Sequence, residues 1–184
     1  MHDNVAGTTP SGEAYRANDP ELLTWVQGTA AYGFLQAYHA YVRPLPPAAR
    51  NRYYAEGAAA ARLYGAPGAP TSETELQILF QQTAGRLQRS SIVFEFVSIM
   101  RSAPVLPLML RPAQRLLVRA AVELTPRWAR SILGLDGHGL APWEGELVRQ
   151  AGALADRVVL TSSPAVQACQ RMRLPADYLY RAFN

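Results

Sequence analysis

Lysine is missing: all 18 basic residues of the 184-residue chain are arginine. No side-chain amine is therefore present to form a Schiff base, serve as a tunable general base or act as a phosphate-binding point charge. Pyridoxal enzymes and Walker-type nucleotide enzymes are excluded in their usual forms. Cysteine is nearly missing too. Cys169 alone rules out an internal disulfide framework and any Cys-rich zinc site. Charged residues make up only 17% of the chain against 49% hydrophobic ones, a balance too apolar for intrinsic disorder. No apolar run approaches the roughly 18–20 residues that cross a bilayer, so no transmembrane segment is expected. Met1-His2-Asp3-Asn4 lacks the basic and apolar regions of a signal peptide, and the default expectation is a cytoplasmic protein. A sequence pI near 9.5 makes nucleic-acid affinity conceivable, but no recognition motif supports it and no nucleic-acid partner is expected.

Familiar catalytic signatures are also lacking. The chain holds no HExxH, Gly-x-Ser-x-Gly, Walker loop or dinucleotide-binding glycine fingerprint. Its three histidines, His2, His39 and His138, are scattered, and none belongs to a Glu-x-x-His pair. A metal held by protein ligands alone is not expected. His39 near a helix end and His138 between glycines read as a dipole-favoured residue and a solvated turn residue.

What is present is helical signal. The length suits one domain over residues 1–184, in which 1–17, rich in Gly, Thr, Ser and Pro, reads as an extended arm. Asn18 or Asp19 can cap a helix through Pro20 and Glu21 that runs to about Val42, where Arg43-Pro44 stops it. Leu23, Val26, Ala30, Phe34, Ala37 and Tyr41 recur at three- and four-residue steps and predict one buried stripe, with Gln27 beside it. Pro46-Pro47 opens a second helix ending at Gly65, with Tyr53, Ala60, Leu63 and Tyr64 as expected contacts. Ser72-Glu73-Thr74-Glu75 has the capping-box pattern, and Leu76, Leu79, Phe80, Thr83 and Leu87 give the third helix an apolar face.

Ile92 to Met100 is a dense apolar run that fits a buried helix or a strand, with helix favoured by length and surroundings. Further helices follow from Pro112 with Leu116, Val118 and Val122, and from Pro126 to Gly134. Pro142 opens another, carrying Leu147, Ala151 and Leu154, and the last begins after Ser163-Pro164. No strand alternation, fixed repeat or sustained heptad is found. The expected fold class is all-α, an irregular helical bundle. Arg111, Arg115 and Arg119 repeat every four residues and share a helix face. A solvated face is the plain reading; an acidic cofactor edge or anionic lipid head groups are the functional ones. Alanine abundance has a plain source in GC-rich coding.

Three stretches carry a family resemblance: His2-Asp3-Asn4-Val5-Ala6-Gly7, Gly12-Glu13-Ala14-Tyr15-Arg16-Ala17-Asn18-Asp19-Pro20, and Leu22-Leu23-Thr24-Trp25-Val26-Gln27. They resemble the His-x-x-Val-x-Gly, Gly-x-x-Tyr-x-Ala-x-Asp-Pro and Leu-x-Trp-Val-His elements of the MpaB and latex-clearing-protein oxygenase family. Arg52-Tyr53-Tyr54-Ala55-Glu56 and Leu124-Thr125-Pro126-Arg127-Trp128-Ala129-Arg130 fit as well, so the resemblance covers most of the chain. It implies an all-α fold carrying haem b, which in studied relatives cleaves carbon–carbon double bonds of isoprenoids with dioxygen. By this resemblance His2 is the candidate axial ligand, the only residue expected to bind metal, and only as haem iron. Arg115 and Arg119 are the candidate contacts for the cofactor's acidic edge, while Trp25 and Gln27 are the candidate substrate-cavity residues. No catalytic residue is assigned.

The chain departs from the pattern at Ala6, where the family usually has arginine, and at Gln27, where it has histidine. The family's helices before the axial histidine, with their distal arginine or lysine, are expected to be lacking, since Met1 immediately precedes His2. Two readings follow. One is a haem-b-dependent oxygenase acting on an apolar isoprenoid, lipid or polyketide-type compound. The other is a shortened, non-catalytic helical member that binds a hydrophobic ligand or protein partner. Exposure of an apolar patch by the shortening would favour a homo-oligomer.

Overall fold

A computed structural model describes residues 5–9, 12, 14–158, 160 and 162–181, without the side chain of Arg181. The described chain is predominantly helical, as its periodicity predicts. The expected strandless start differs: β1 (Ala6–Thr8) pairs antiparallel with β2 (Ala14–Arg16), in the register Gly7↔Tyr15. Gly12, at φ +88, helps reverse the chain, and the Tyr15 ring lies across Gly7, where any Cβ would collide with it. Three-residue strands are too short to leave an alternation in the sequence.

Helix α1 (Pro20–Tyr41) begins where its cap predicts, because the Asp19 carboxylate accepts from Glu21 N at 2.8 Å and Leu22 N at 3.4 Å. Helix α2 (Pro47–Leu63) follows the prolines, and Gly65 turns the chain at φ +84. Helix α3 (Glu73–Ala84) is capped by Ser72, whose hydroxyl accepts from Glu75 N. The return bond of the capping box is displaced by one residue. The Glu75 carboxylate accepts from both the Thr71 N–H and hydroxyl at 2.7 Å, rather than from Ser72. These hydrogen bonds hold the Glu75 carboxyl below its ordinary range.

Helix α4 (Ser91–Ser102) settles the apolar run as helix, yet none of its residues is buried. A 3-10 turn (Leu108–Leu110) leads into α5 (Arg111–Leu124), and α6 (Arg127–Leu133) ends on Gly134 in the left-handed conformation. Then come α7 (Glu144–Ala155), α8 (Pro164–Arg171) and α9 (Tyr178–Arg181).

Polar clamps also bind the helices to one another. The buried Gln114 amide of α5 donates to the carbonyls of Met100 and Ala103, at 2.8 Å each, and so ties down the end of α4. Arg50 Nε donates to Glu73 at 2.8 Å and Asn51 accepts from Glu73 N, joining α2 to the start of α3. Helix α7 crosses α1 so closely that a Cβ at Gly152 would collide with the Tyr41 carbonyl oxygen.

Leu35, Tyr54, Leu76 and Phe80 form the buried core, with Trp25, Tyr32, Leu45 and Trp128 against it. Phe80 is its hub: the rings of Tyr32, Trp25 and Trp128 meet it edge-on at 5.3, 5.7 and 5.9 Å between centroids. Several expected faces are rotated. On α2 the buried residues are Tyr54, Ala58 and Ala61, not Tyr53, Leu63 and Tyr64; small alanines let the helix approach its neighbours closely. On α7 Glu144 and Val148 are buried while Leu147 and Leu154 are exposed. The expected buried stripe of α1 includes Val26 at 55% and Phe34 at 74% exposure, and the residues buried on that helix are Gly28 and Leu35. The reason is that much of the stripe borders an open cleft.

Candidate functional site: an apolar cleft over the aromatic core

The cleft has a volume of about 1100 Å³ and is walled by α1, α5, α6 and α7. Helix α1 contributes Ala30, Gly33, Phe34 and Ala37, and α5 contributes Leu117, Ala120, Ala121 and Leu124. Ala129 and Leu133 come from α6, while Val148, Ala151, Gly152 and Ala155 come from α7. Phe80, Trp25, Tyr32 and Trp128 also line it, so the aromatic core continues into the wall of the cavity. Short side chains help keep the volume open, since each of the four helices turns at least one glycine or alanine toward it.

The hydroxyl groups of the wall are turned into the scaffold. Tyr32 donates its hydroxyl proton to the Leu124 carbonyl at 3.0 Å, and Tyr41 donates to the Ala120 carbonyl at 3.3 Å. Leu124 ends α5, so its carbonyl has no intrahelical partner and the Tyr32 hydroxyl supplies one. Tyr38 donates to Asp156, which also accepts from Arg43 at 3.1 Å. The hydroxyls of Thr29 and Thr125 return to carbonyls of the preceding helical turn. Burial raises the pKa of Tyr32, Tyr38 and Tyr41, with the Asp156 carboxylate adding to the effect at Tyr38 and the Glu123 carboxylate at Tyr41. All three hydroxyls stay protonated through neutral pH. What remains is a surface suited to an apolar molecule, with no free base or nucleophile among its described residues.

The residues expected from the sequence fall in three places. Trp25 lines the cleft, whereas Gln27, half-buried on α1, is not part of its wall. Arg115 and Arg119 lie on the other side of α5, lining a separate recess with Arg101, Gly137 and His138. His2 lies outside the described residues. His39 accepts a hydrogen bond from Leu45 N at Nδ1, 2.8 Å away, and serves as a cap for the turn between α1 and α2. No histidine, cysteine, methionine or arginine is found among the described residues of the cleft wall. No group of three or more His, Cys, Asp or Glu that could hold a metal ion occurs among the described residues.

Sequence reasoning missed Phe80 as the hub, and it missed the small residues that create the cavity. Gly33 and Ala37, one turn apart on an otherwise aromatic helix face, were the available signal.

Residues 1–158 match the family described as ER-bound oxygenase mpaB/B'/rubber oxygenase, catalytic domain. The chain belongs to this family. The match covers α1 to α7 and thus all the helices that wall the cleft. No curated protein and no solved structure matches the chain. The oxygenase-family domain contains no helix, among its described residues, long and apolar enough to cross a membrane.

Proposed function

We propose that the cleft is the substrate chamber of an MpaB/rubber-oxygenase-type domain and takes an apolar isoprenoid, lipid or polyketide-type compound. The observation that carries this reading is the coincidence of the family match with a large apolar cavity whose hydroxyl groups are hydrogen-bonded to the scaffold. Burial of an extended hydrocarbon against Trp25, Phe34, Leu117 and Leu133 would contribute roughly 25 cal/mol per Å² of apolar surface. The same walls would keep water from the reacting carbons.

Haem b belongs to the proposal through the family resemblance: His2 would hold it, and oxidation by dioxygen would be the chemistry it supplies. The apolar walls suit the faces of a porphyrin. The described residues of the cleft, however, offer it neither an iron ligand nor a cation for its carboxylates, so that part rests on His2 alone. A cytoplasmic setting is part of the reading, supported by one free, buried thiol, Cys169.

The second reading, a non-catalytic binder of a hydrophobic ligand or protein partner, draws support from that lack of a ligand in the cleft wall. Two titrations of the full chain separate them. Haem b should give a Soret band that His2→Ala abolishes and His39→Ala keeps, and a flat spectrum sinks the haem part. Farnesol, a small isoprenoid, should alter tryptophan fluorescence through Trp25 and Trp128, with a weaker effect in Trp25→Leu. Farnesol binding without a Soret band assigns the second reading; failure of both removes the chamber itself.

A further inference from the structure

Helix α5 lines a second recess as well as the cleft. Leu117, Ala120 and Leu124 turn toward the cleft, while Arg115 and Arg119 line a separate recess of about 550 Å³ with Arg101, Gly137 and His138. Within this recess Arg119 is held in place. Its Nε donates to the Gly139 carbonyl at 2.9 Å, and its Nη1 donates to the buried Glu144 carboxylate at 2.7 Å. The other Glu144 oxygen accepts from Ala141 N at 2.7 Å. A single carboxylate thus fixes both a guanidinium and the loop that carries His138, whose ring meets Phe94 edge-on at 5.8 Å.

Arg101 and Arg115 differ from Arg119. Neither guanidinium has an ion-pair or hydrogen-bond partner among the described residues. Two arginines without a partner, a third already anchored, and a histidine therefore line one concave space. Among the described residues several other arginines are likewise without a carboxylate, but Arg101 and Arg115 share one recess with an arginine that a buried carboxylate holds in place. Their positive charge, with no carboxylate among the described residues that line the recess, favours an external anion there.

We infer that this recess is a binding site for a phosphate-type dianion, carried by a free phosphate or by a lipid head group. Guanidinium forks match phosphate oxygens two at a time, and the fixed loop reduces the ordering cost of binding. Met100 and the exposed Leu108, Met109 and Leu110 lie close in sequence to Arg101 and Arg115, which makes an amphiphile a real source of the anion. The site stands apart from the cleft and does not depend on its occupant.

Calorimetric titration of the full chain with inorganic phosphate and pyrophosphate tests the free anion. Flotation with phosphatidylcholine vesicles, with and without phosphatidic acid, tests the head group. Binding of at least about millimolar strength is expected in one arm, weakened about tenfold by Arg101→Gln and by Arg115→Gln. Arg115→Lys should recover only part of the loss, because lysine restores the charge and not the fork. Arg111→Gln, outside the recess, should change phosphate affinity by less than about twofold. Phosphate binding assigns the free anion as a sufficient ligand, and vesicle binding alone assigns the head group. Absence of both, or equal loss in all three glutamine variants, overturns the site.

Discussion

Tyr32 and Tyr41 show how one side chain can serve both cavity and scaffold. Each ring lines the cleft, while its hydroxyl is bonded to a carbonyl of α5. Burial is the main cause that raises the pKa of these two, of Tyr38 and of Tyr54. Because the folded state holds their protons more tightly than the unfolded chain, their stabilising effect is complete below the ordinary tyrosine value of about 10. It is lost as pH rises from there through the raised folded values. Helical circular dichroism should therefore hold up to about pH 10 and then fall together with a late rise in tyrosinate absorbance. Full tyrosine ionisation in one step near pH 10 with the helices intact would contradict this assignment. At this scale the sequence was informative about type and blind to direction. Tyr41 was expected in a buried stripe, but nothing local says that its hydroxyl reaches a carbonyl 79 residues away.

Helix ends were legible because caps are local, and helix faces were not, because burial depends on the neighbour. Asp19, Ser72 and Ser163 each cap a helix through bonds within three residues, and Gly134 closes α6; Ser90 caps α4 in the same way without having been singled out in the sequence. In contrast, α2 buries Tyr54, Ala58 and Ala61, the face with the smaller residues, since its approach distance outweighs their modest hydrophobicity. Helix α7 buries Glu144 for the sake of Arg119 and the Ala141 amide. The same competition decides what alanine would do at Gly152, in the last turn of α7. Helix propensity alone favours alanine over glycine by about 1 kcal/mol. Here the new methyl would meet the Tyr41 carbonyl, and a backbone oxygen cannot swing aside as a side chain can. Overpacking costs about 1–3 kcal/mol, so the clash should win. Gly152→Ala is expected to lower the melting temperature by a few degrees and, by pushing α1 and α7 apart, to weaken farnesol binding. A variant more stable than the parent would show that the crossing can open freely.

At the scale of the whole molecule, the helical class and the family were readable, and the shape of the site was not. Alanine, ascribed to coding bias by composition, has a steric role as well: Ala30, Ala37, Ala120, Ala121, Ala129, Ala151 and Ala155 line the cleft and leave it hollow. A cavity is a sum of missing atoms contributed by helices far apart in sequence, so no single motif announces it. The same scale reveals an unmet demand. Ile92, Phe96 and Ile99 on α4 are 66%, 61% and 52% exposed, and Leu108 and Met109 beyond it are 73% and 91% exposed. The positions 92, 96 and 99 repeat at helical spacing, which makes them one stripe rather than scattered contacts. Such a stripe costs free energy in water unless something covers it, and a second copy of the chain is always available at sufficient concentration. Self-association is therefore expected in sedimentation velocity, with a mean mass that rises with protein concentration. Ile92→Ser combined with Phe96→Ser should shift the distribution toward monomer without loss of helical content, because neither side chain contributes to the buried core. Salt provides the contrasting control: an association driven by this apolar stripe should persist when ionic strength is raised, whereas one driven by arginine contacts should weaken. A strictly monomeric profile over the accessible concentration range, or association untouched by the double variant, would remove this stripe as the contact.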